Sequence, residues 1–357
     1  MNQPAPQQEA PVLDRLSRVD RFLPLWILAA MLLGLALGRM IPDLNDWLDT
    51  VKIGEVSLPI AIGLLAMMYP VLAKVRYSKI GEIAADRQLL VSSLTLNWIV
   101  GPLLMFTLAW IFLPDLPGYR TGLIIIGLAR CIAMVLIWND LACGDSEAAA
   151  VLVAINSVFQ IVAYSLLGYF YLQLLPTWLS LDTAALAVSM WDIAKMVLVF
   201  LGIPLVAGYL TRRWGEQTRG VEWYETRFLP KLSPVALYGL LFTIVILFAL
   251  QGETITDRPF DVARIALPLL IYFGLMWVVS FALGLRLRMS YGKNTAMSFT
   301  AASNNFELAI AVAIGVFGVT SGEALAGVVG PLIEVPVLVG LVYVALWARK
   351  RFYPDHG

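Results

Sequence analysis

Long apolar blocks and short polar connections alternate along the chain. Ten blocks stand out, at roughly 22–40, 58–73, 89–113, 121–142, 147–175, 192–211, 233–250, 264–285, 295–317 and 324–348. Most exceed the about 18 residues that a helix rising 1.5 Å per residue needs to cross roughly 30 Å of hydrocarbon. No soluble core calls for apolar runs of that length. The pattern therefore predicts an all-α integral membrane protein with ten transmembrane helices. Residues 1–21 precede the first block without an apolar run, and they read as a disordered cytoplasmic tail, not a cleaved signal.

Composition agrees. Of 357 residues, 60% are hydrophobic and 14% charged, where a soluble chain carries about 25% charged residues. Mean hydropathy is +0.80. The net charge is zero, so nothing points to nucleic acid. The distribution of charge is more telling. Of the 25 Lys and Arg, six (Arg39, Lys52, Arg120, Lys195, Arg258 and Arg264) fall on one side of the ten blocks. Arg130 lies within the fourth block, and the other eighteen share the side of the N-terminus, some of them in a long loop between the sixth and seventh blocks. The positive-inside rule then predicts a multi-pass protein of the cell inner (plasma) membrane with both termini cytoplasmic. Trp26, Trp47, Trp178, Trp191 and Trp347 fall near block ends, as an interfacial belt would.

Ten spans divide into two five-helix halves, 22–175 and 176–350, of opposite orientation, the inverted repeat common in secondary transporters. Two stretches echo one another, S-L-P-I-A-I-G-L-L (Ser57–Leu65) and S-P-V-A-L-Y-G-L-L (Ser233–Leu241). The first span of each half also ends alike, in G-L-A-L-G-R and P-L-V-A-G-Y-L-T-R. In each half the fourth span is the polar one. Span four carries Arg130, Cys131, Asn139 and Asp140, and span nine carries Ser303, Asn304, Asn305 and Glu307. Corresponding polar, interrupted segments mark a substrate site.

Three groups near mid-depth could carry chemistry. Glu307 lies about eleven residues into span nine, where burying a charged carboxylate is expensive. Such a carboxyl can carry one proton across; its structural alternative is pairing with Arg130 or capping a broken helix. Asn304, about one turn before it, shares its face, while Asn305 and Ser303 could satisfy backbone groups freed at a helix break. For the asparagines, structure and substrate contact stay open. Cys131 lies at mid-depth in span four. A buried cysteine is usually a small inert residue, but the neighbouring Arg130 favours a nucleophilic thiolate. Glu334 lies in span ten between Pro331 and Pro336 and could take the proton role instead of Glu307. Arg130 then reads as a counter-ion to one of these carboxylates. Cys143 falls twelve residues after Cys131 on what reads as one helix, about 18 Å along its axis. A disulfide or a two-thiolate metal site is therefore not expected. The single histidine, His356, is in the terminal tail. No P-loop, H-E-x-x-H or G-x-S-x-G pattern is present, so no enzyme, cofactor or metal is expected and an ion gradient must supply the energy.

The stretch Thr121–Asp145, with its A-R-C-I-A-M-V core, resembles the arsenical-resistance arsenite permeases of the bile acid/arsenite/riboflavin transporter superfamily. So do the S-N-N-F-E-L-A-I-A-V-A run from Ser303 and the G-P-L-I-E-V-P-V-L run from Gly330. The resemblance extends over residues 20–350. It implies a panel domain of helices 1, 2, 6 and 7 and a core domain of helices 3–5 and 8–10. Broken helices four and nine would cross at mid-membrane. It also implies export of arsenite, in some members antimonite, in exchange for protons, with the family's essential cysteine and glutamate carried by Cys131 and Glu307. Arsenite is an uncharged, thiol-seeking trihydroxide at neutral pH, and soft centres select thiolate. One thiolate with oxygen ligands would bind it weakly enough to release. A sodium-coupled organic-anion symporter of the same superfamily is the alternative, disfavoured by the apolar run Ile132–Leu136. A membrane sensor or scaffold would be expected to carry large soluble loops.

Overall fold

In hydrocarbon a backbone must satisfy its own donors and acceptors, and a helix does so within one segment. The computed structural model describes residues 22–41, 52–53, 56–75, 86–132, 134–181, 189–257 and 259–353. The predicted tail, Trp47, Ala133, Arg258 and His356 lie outside them. Twelve helices occur among the described residues, and every predicted span contains one helix or a pair. Helix α1 is Leu23–Met40 and α2 is Leu58–Ala73; Lys52–Ile53 and Val56–Ser57 pair as a small antiparallel ladder before α2. Then come α3 (Arg87–Phe112), α4 (Pro117–Leu128), α5 (Met134–Leu141), α6 (Ser146–Trp178) and α7 (Met190–Arg219). Helix α8 opens with Val221–Trp223 and continues through Tyr224–Phe228 into Leu229–Asp257. The last four are α9 (Pro259–Arg286), α10 (Tyr291–Ala302), α11 (Phe306–Phe317) and α12 (Gly322–Phe352). Six of these, α3, α6, α7, α8, α9 and α12, are long and apolar enough to cross a membrane, and α1, α2 and α11 contain shorter apolar stretches.

Local chemistry explains where the helices start and widen. Asp86, Asp145, Ser189 and Ser321 cap α3, α6, α7 and α12, each accepting a hydrogen bond from a first-turn N–H. Four helices contain one wide, π-helical turn, at Leu96–Val100, Phe170–Leu174, Leu198–Gly202 and Tyr224–Phe228. In each case a proline follows two residues later, at Pro102, Pro176, Pro204 and Pro230. Its ring clashes with the carbonyl four residues back and it offers no N–H, so the turn before it opens. Pro331 and Pro336, by contrast, sit inside an uninterrupted α12.

The expected long loop around 212–231 is instead a helical hairpin. Helices α7 and α8 meet at Gly220, whose φ of 87° suits only glycine. Arg212 holds the hairpin shut, bonded to Glu216 (2.7 Å), Glu225 (2.9 Å) and the Lys74 carbonyl (3.0 Å). Charged residues made this segment look like a loop, but their pairing across the hairpin keeps it helical.

Helix α8 packs along α1 and α2, and α7 reaches from α2 to α6 and α11. Helices α9 and α12 pack on one another, on α10 and α11 and on α3 and α4. Trp26, Trp178, Trp191 and Trp347 are all exposed, as a belt requires.

Two ion pairs tie loops to helix ends. Lys293 Nζ donates to Asp86 at 2.6 Å, and Arg264 makes a two-pronged bond to Asp115. The Lys293 ammonium and the Leu89 N–H hold the Asp86 carboxyl below its ordinary value, and Arg264 pulls Asp115 down to about 2. A carboxyl more acidic in the folded state adds stability above its ordinary value, lost as the pH falls through its folded value. Melting in detergent should therefore show an acid-side decline below about pH 4 that is shallower in Asp86→Asn, whereas equal slopes would leave this pair without effect on stability.

Candidate functional site

The fourth and ninth blocks are both broken, and the breaks meet. Helix α4 stops at Leu128 and α5 starts at Met134; α10 stops at Ala302 and α11 starts at Phe306. Arg130 and Asn304 lie side by side as a single antiparallel β-bridge. The Cys131 N–H donates to the Ser303 carbonyl (3.4 Å), and the Asn305 N–H donates to the Ala129 carbonyl (3.0 Å). Two helix C-termini and two N-termini thus converge, each break lending the other the partners that its own helix lost.

Side chains complete the accounting. Asn304 Nδ2 donates to the Ile126 carbonyl (2.8 Å) and the Ala129 carbonyl (3.0 Å), closing the end of α4. Asn305 Oδ1 accepts from the Leu308 N–H (3.0 Å) and caps α11. Gln160 Oε1 accepts from the Arg130 N–H (3.1 Å). Glu334 Oε1 accepts from the Ser303 hydroxyl and the Asn304 N–H, both at 3.1 Å. Four polar atoms around the crossing have no partner among the described residues: Arg130 Nε, Gln160 Nε2, Asn304 Oδ1 and Asn305 Nδ2.

Three sequence expectations need correction. Arg130 forms no ion pair with a carboxylate among the described residues. Its fully buried guanidinium donates to the Tyr272 hydroxyl (2.9 Å) and to the Gly127 carbonyl. The negative end of the α4 dipole takes the place of an acidic partner. Asn304 does not share a helix face with Glu307, because it lies in the break before α11 begins. Cys131 and Cys143 do not lie on one helix, since Cys131 is in the break and Cys143 follows α5 with a φ of 55°. Of the other polar residues of span four, Asn139 is fully buried, whereas Asp140 is exposed and accepts from the Ser146 hydroxyl (2.6 Å).

The structure brings together Cys131, Ser303, Asn304 and Glu334 through direct hydrogen bonds at the crossing. Glu307 is in the first turn of α11 and within electrostatic reach of Glu334. From Ala301 to Gly315 it is the one residue not buried. No hydrogen bond or ion pair to another side chain is described for it. Phe306 beside it is fixed by Gly330, where a Cβ would run into the Phe306 ring. Gln160 and Tyr272 are not among the residues that the sequence singles out. The available signal was an uncharged polar group in the middle of an apolar span, a weak one when apolar spans carry several.

The model of the sodium bile acid symporter family matches residues 61–258. The arsenical-resistance protein Acr3 of Corynebacterium glutamicum is 58% identical over 341 residues, covering 96% of this chain and 92% of that one. The Acr3 protein of Alkaliphilus metalliredigens is 32% identical over 343 residues, with 93% and 94% covered. A Synechocystis protein named as an uncharacterized transporter is 37% identical over 346 residues, with 92% and 88% covered. The three relatives cover 92–96% of the chain, and the family model covers more than half of it: the chain belongs to the sodium bile acid symporter family and, within it, to the arsenical-resistance Acr3 transporters.

Proposed function

We propose that this protein exports arsenite, and secondarily antimonite, from the cytoplasm in exchange for protons. Cys131 makes the soft contact and Glu307 carries the proton. The observation that carries the reading is the crossing itself, where the thiol-bearing break is bonded to Ser303 and the helix after the second break opens with a half-buried carboxylate that has no partner side chain among the described residues. The near full-length likeness to two proteins named for arsenical resistance supports the substrate.

Glu307 suits the proton better than Glu334. Both hydrogen bonds to Glu334 hold the break in place, so changing its charge would loosen the crossing that forms the site. Substrate binds Cys131 from the inward-open state. Protonation of Glu307 from outside then displaces it, and return of the proton to the cytoplasm resets the carrier.

The cycle needs two halves that rock about a fixed site; packing supports an inverted repeat of ten spans, and the distribution of Lys and Arg supports both termini cytoplasmic. Gly63 and Gly239 hold the same place in the two echoing stretches, and they face each other: a Cβ on Gly239 would lie 2.9 Å from the Gly63 carbonyl oxygen. Gly38 of α1 abuts Ala249 of α8, and Gly208 of α7 abuts Leu72 and Ala73 of α2. These contacts exchange when the halves are exchanged. Helices α1, α2, α7 and α8 then form the panel, and the remainder the core.

Arsenite uptake into inverted vesicles, with an imposed pH gradient and with or without sodium, tests this function. Uptake should follow the pH gradient and be indifferent to sodium. Uptake driven by a sodium gradient alone would overturn proton coupling and favour a sodium-coupled symporter.

A further inference from the structure

The three amides at the crossing share a feature that the transport cycle above leaves unused. Gln160 Oε1 accepts from the N–H of the Ala129–Arg130 peptide group, and Asn304 Nδ2 donates to the C=O of the same group. The Asn305 N–H donates to that carbonyl too. Three residues from α6 and from the second break therefore clasp one peptide unit, immediately before Cys131. Each amide also has one end fixed by backbone chemistry. Only an oxygen can accept from the Arg130 and Leu308 N–H groups, and only a nitrogen can donate to the Ile126 and Ala129 carbonyls. The free ends are consequently set: an NH2 on Gln160, an NH2 on Asn305 and a C=O on Asn304, none with a partner among the described residues. All three side chains are at least 99% buried. A buried polar atom without a partner is costly, so three of them around one peptide unit call for a ligand.

We propose that Gln160, Asn304 and Asn305 form a hydroxyl-reading set beside the thiol, which selects a small, uncharged, polyhydroxylated molecule. This rests on the arsenite reading and adds to it the basis of selectivity. A thiol alone accepts any trivalent arsenical. The free amide ends supply two donors and an acceptor, and each hydroxyl of an uncharged trihydroxide can donate or accept. Replacing one hydroxyl by a methyl group removes a bond that the site is built to make, and such sites reject the analogue because their polar atoms are left unpaired. Gln160, on α6, is not among the residues that the sequence singles out.

Two conservative changes separate this role from simple support of the backbone. Gln160→Glu keeps an oxygen for the Arg130 N–H, and Asn305→Asp keeps the cap on Leu308, yet each removes a free NH2. Transport of arsenite and of its monomethyl analogue is measured in inverted vesicles at neutral pH, together with the rate of Cys131 alkylation. Each variant should raise the KM for arsenite roughly tenfold, the worth of one lost hydrogen bond. The kcat should stay within about threefold, and the preference for arsenite over the methylated analogue should narrow. Cys131 alkylation without substrate should keep its wild-type rate. Unchanged KM in both variants, or equal losses for both arsenicals, overturns the hydroxyl-reading role. Altered alkylation without substrate assigns these amides to backbone support only, which overturns it as well. Failure of the wild-type protein to move arsenite would instead remove the transport reading itself.

Discussion

Arsenite efflux should fall by at least about a hundredfold in Cys131→Ser, with the protein still folded in the membrane. Serine keeps the size and the backbone N–H that bonds Ser303, so the crossing has no reason to rearrange. What changes is the donor. A soft trivalent centre prefers sulfur to a hydroxyl oxygen, and a loss near 3 kcal/mol in affinity corresponds to roughly a hundredfold. Efflux from cells that rely on this protein for export, read beside membrane yield and melting temperature, measures both arms. Full transport by the serine variant would end the thiolate role. Cys143→Ser is the control: Cys143 lies beyond α5, away from the crossing, and its loss should leave efflux near the wild-type level.

Glu307→Gln should abolish uptake driven by a pH gradient while sparing exchange of labelled arsenite at equilibrium. The amide cannot gain or lose a proton, so the driving force has nothing to act on, but a neutral side chain at that position still lets substrate bind and cross. The carboxylate lies in the first turn of α11 and makes no bond to another described side chain, so its removal leaves the capping by Asn305 intact. Glu334→Gln should behave differently. Its oxygen holds both Ser303 and Asn304, and weakening it should lower folded yield and exchange together. If gradient-driven uptake survives in Glu307→Gln and is lost only in Glu334→Gln, the proton assignment passes to Glu334.

The sequence by itself determined the membrane class, the position of every long span and the family. Each depends on a local property: uncharged runs long enough to cross hydrocarbon, lysine and arginine at their ends, and contiguous motifs around Cys131, Glu307 and Glu334. The same locality explains the errors. Charges between 212 and 231 read as a loop because their partners, such as Glu225 for Arg212, are brought near only by the hairpin. Arg130 read as an acid's partner because the end of a helix carries no letter in the sequence, and its negative charge appears only once α4 has stopped at Leu128. Only tertiary structure decided what the breaks do. A helix that stops in hydrocarbon leaves backbone groups that must find partners, and those partners come from residues more than 170 positions away, Asn304 for Ala129 and Ser303 for Cys131. Gln160 joined the site for the same reason, as the acceptor that one buried N–H required.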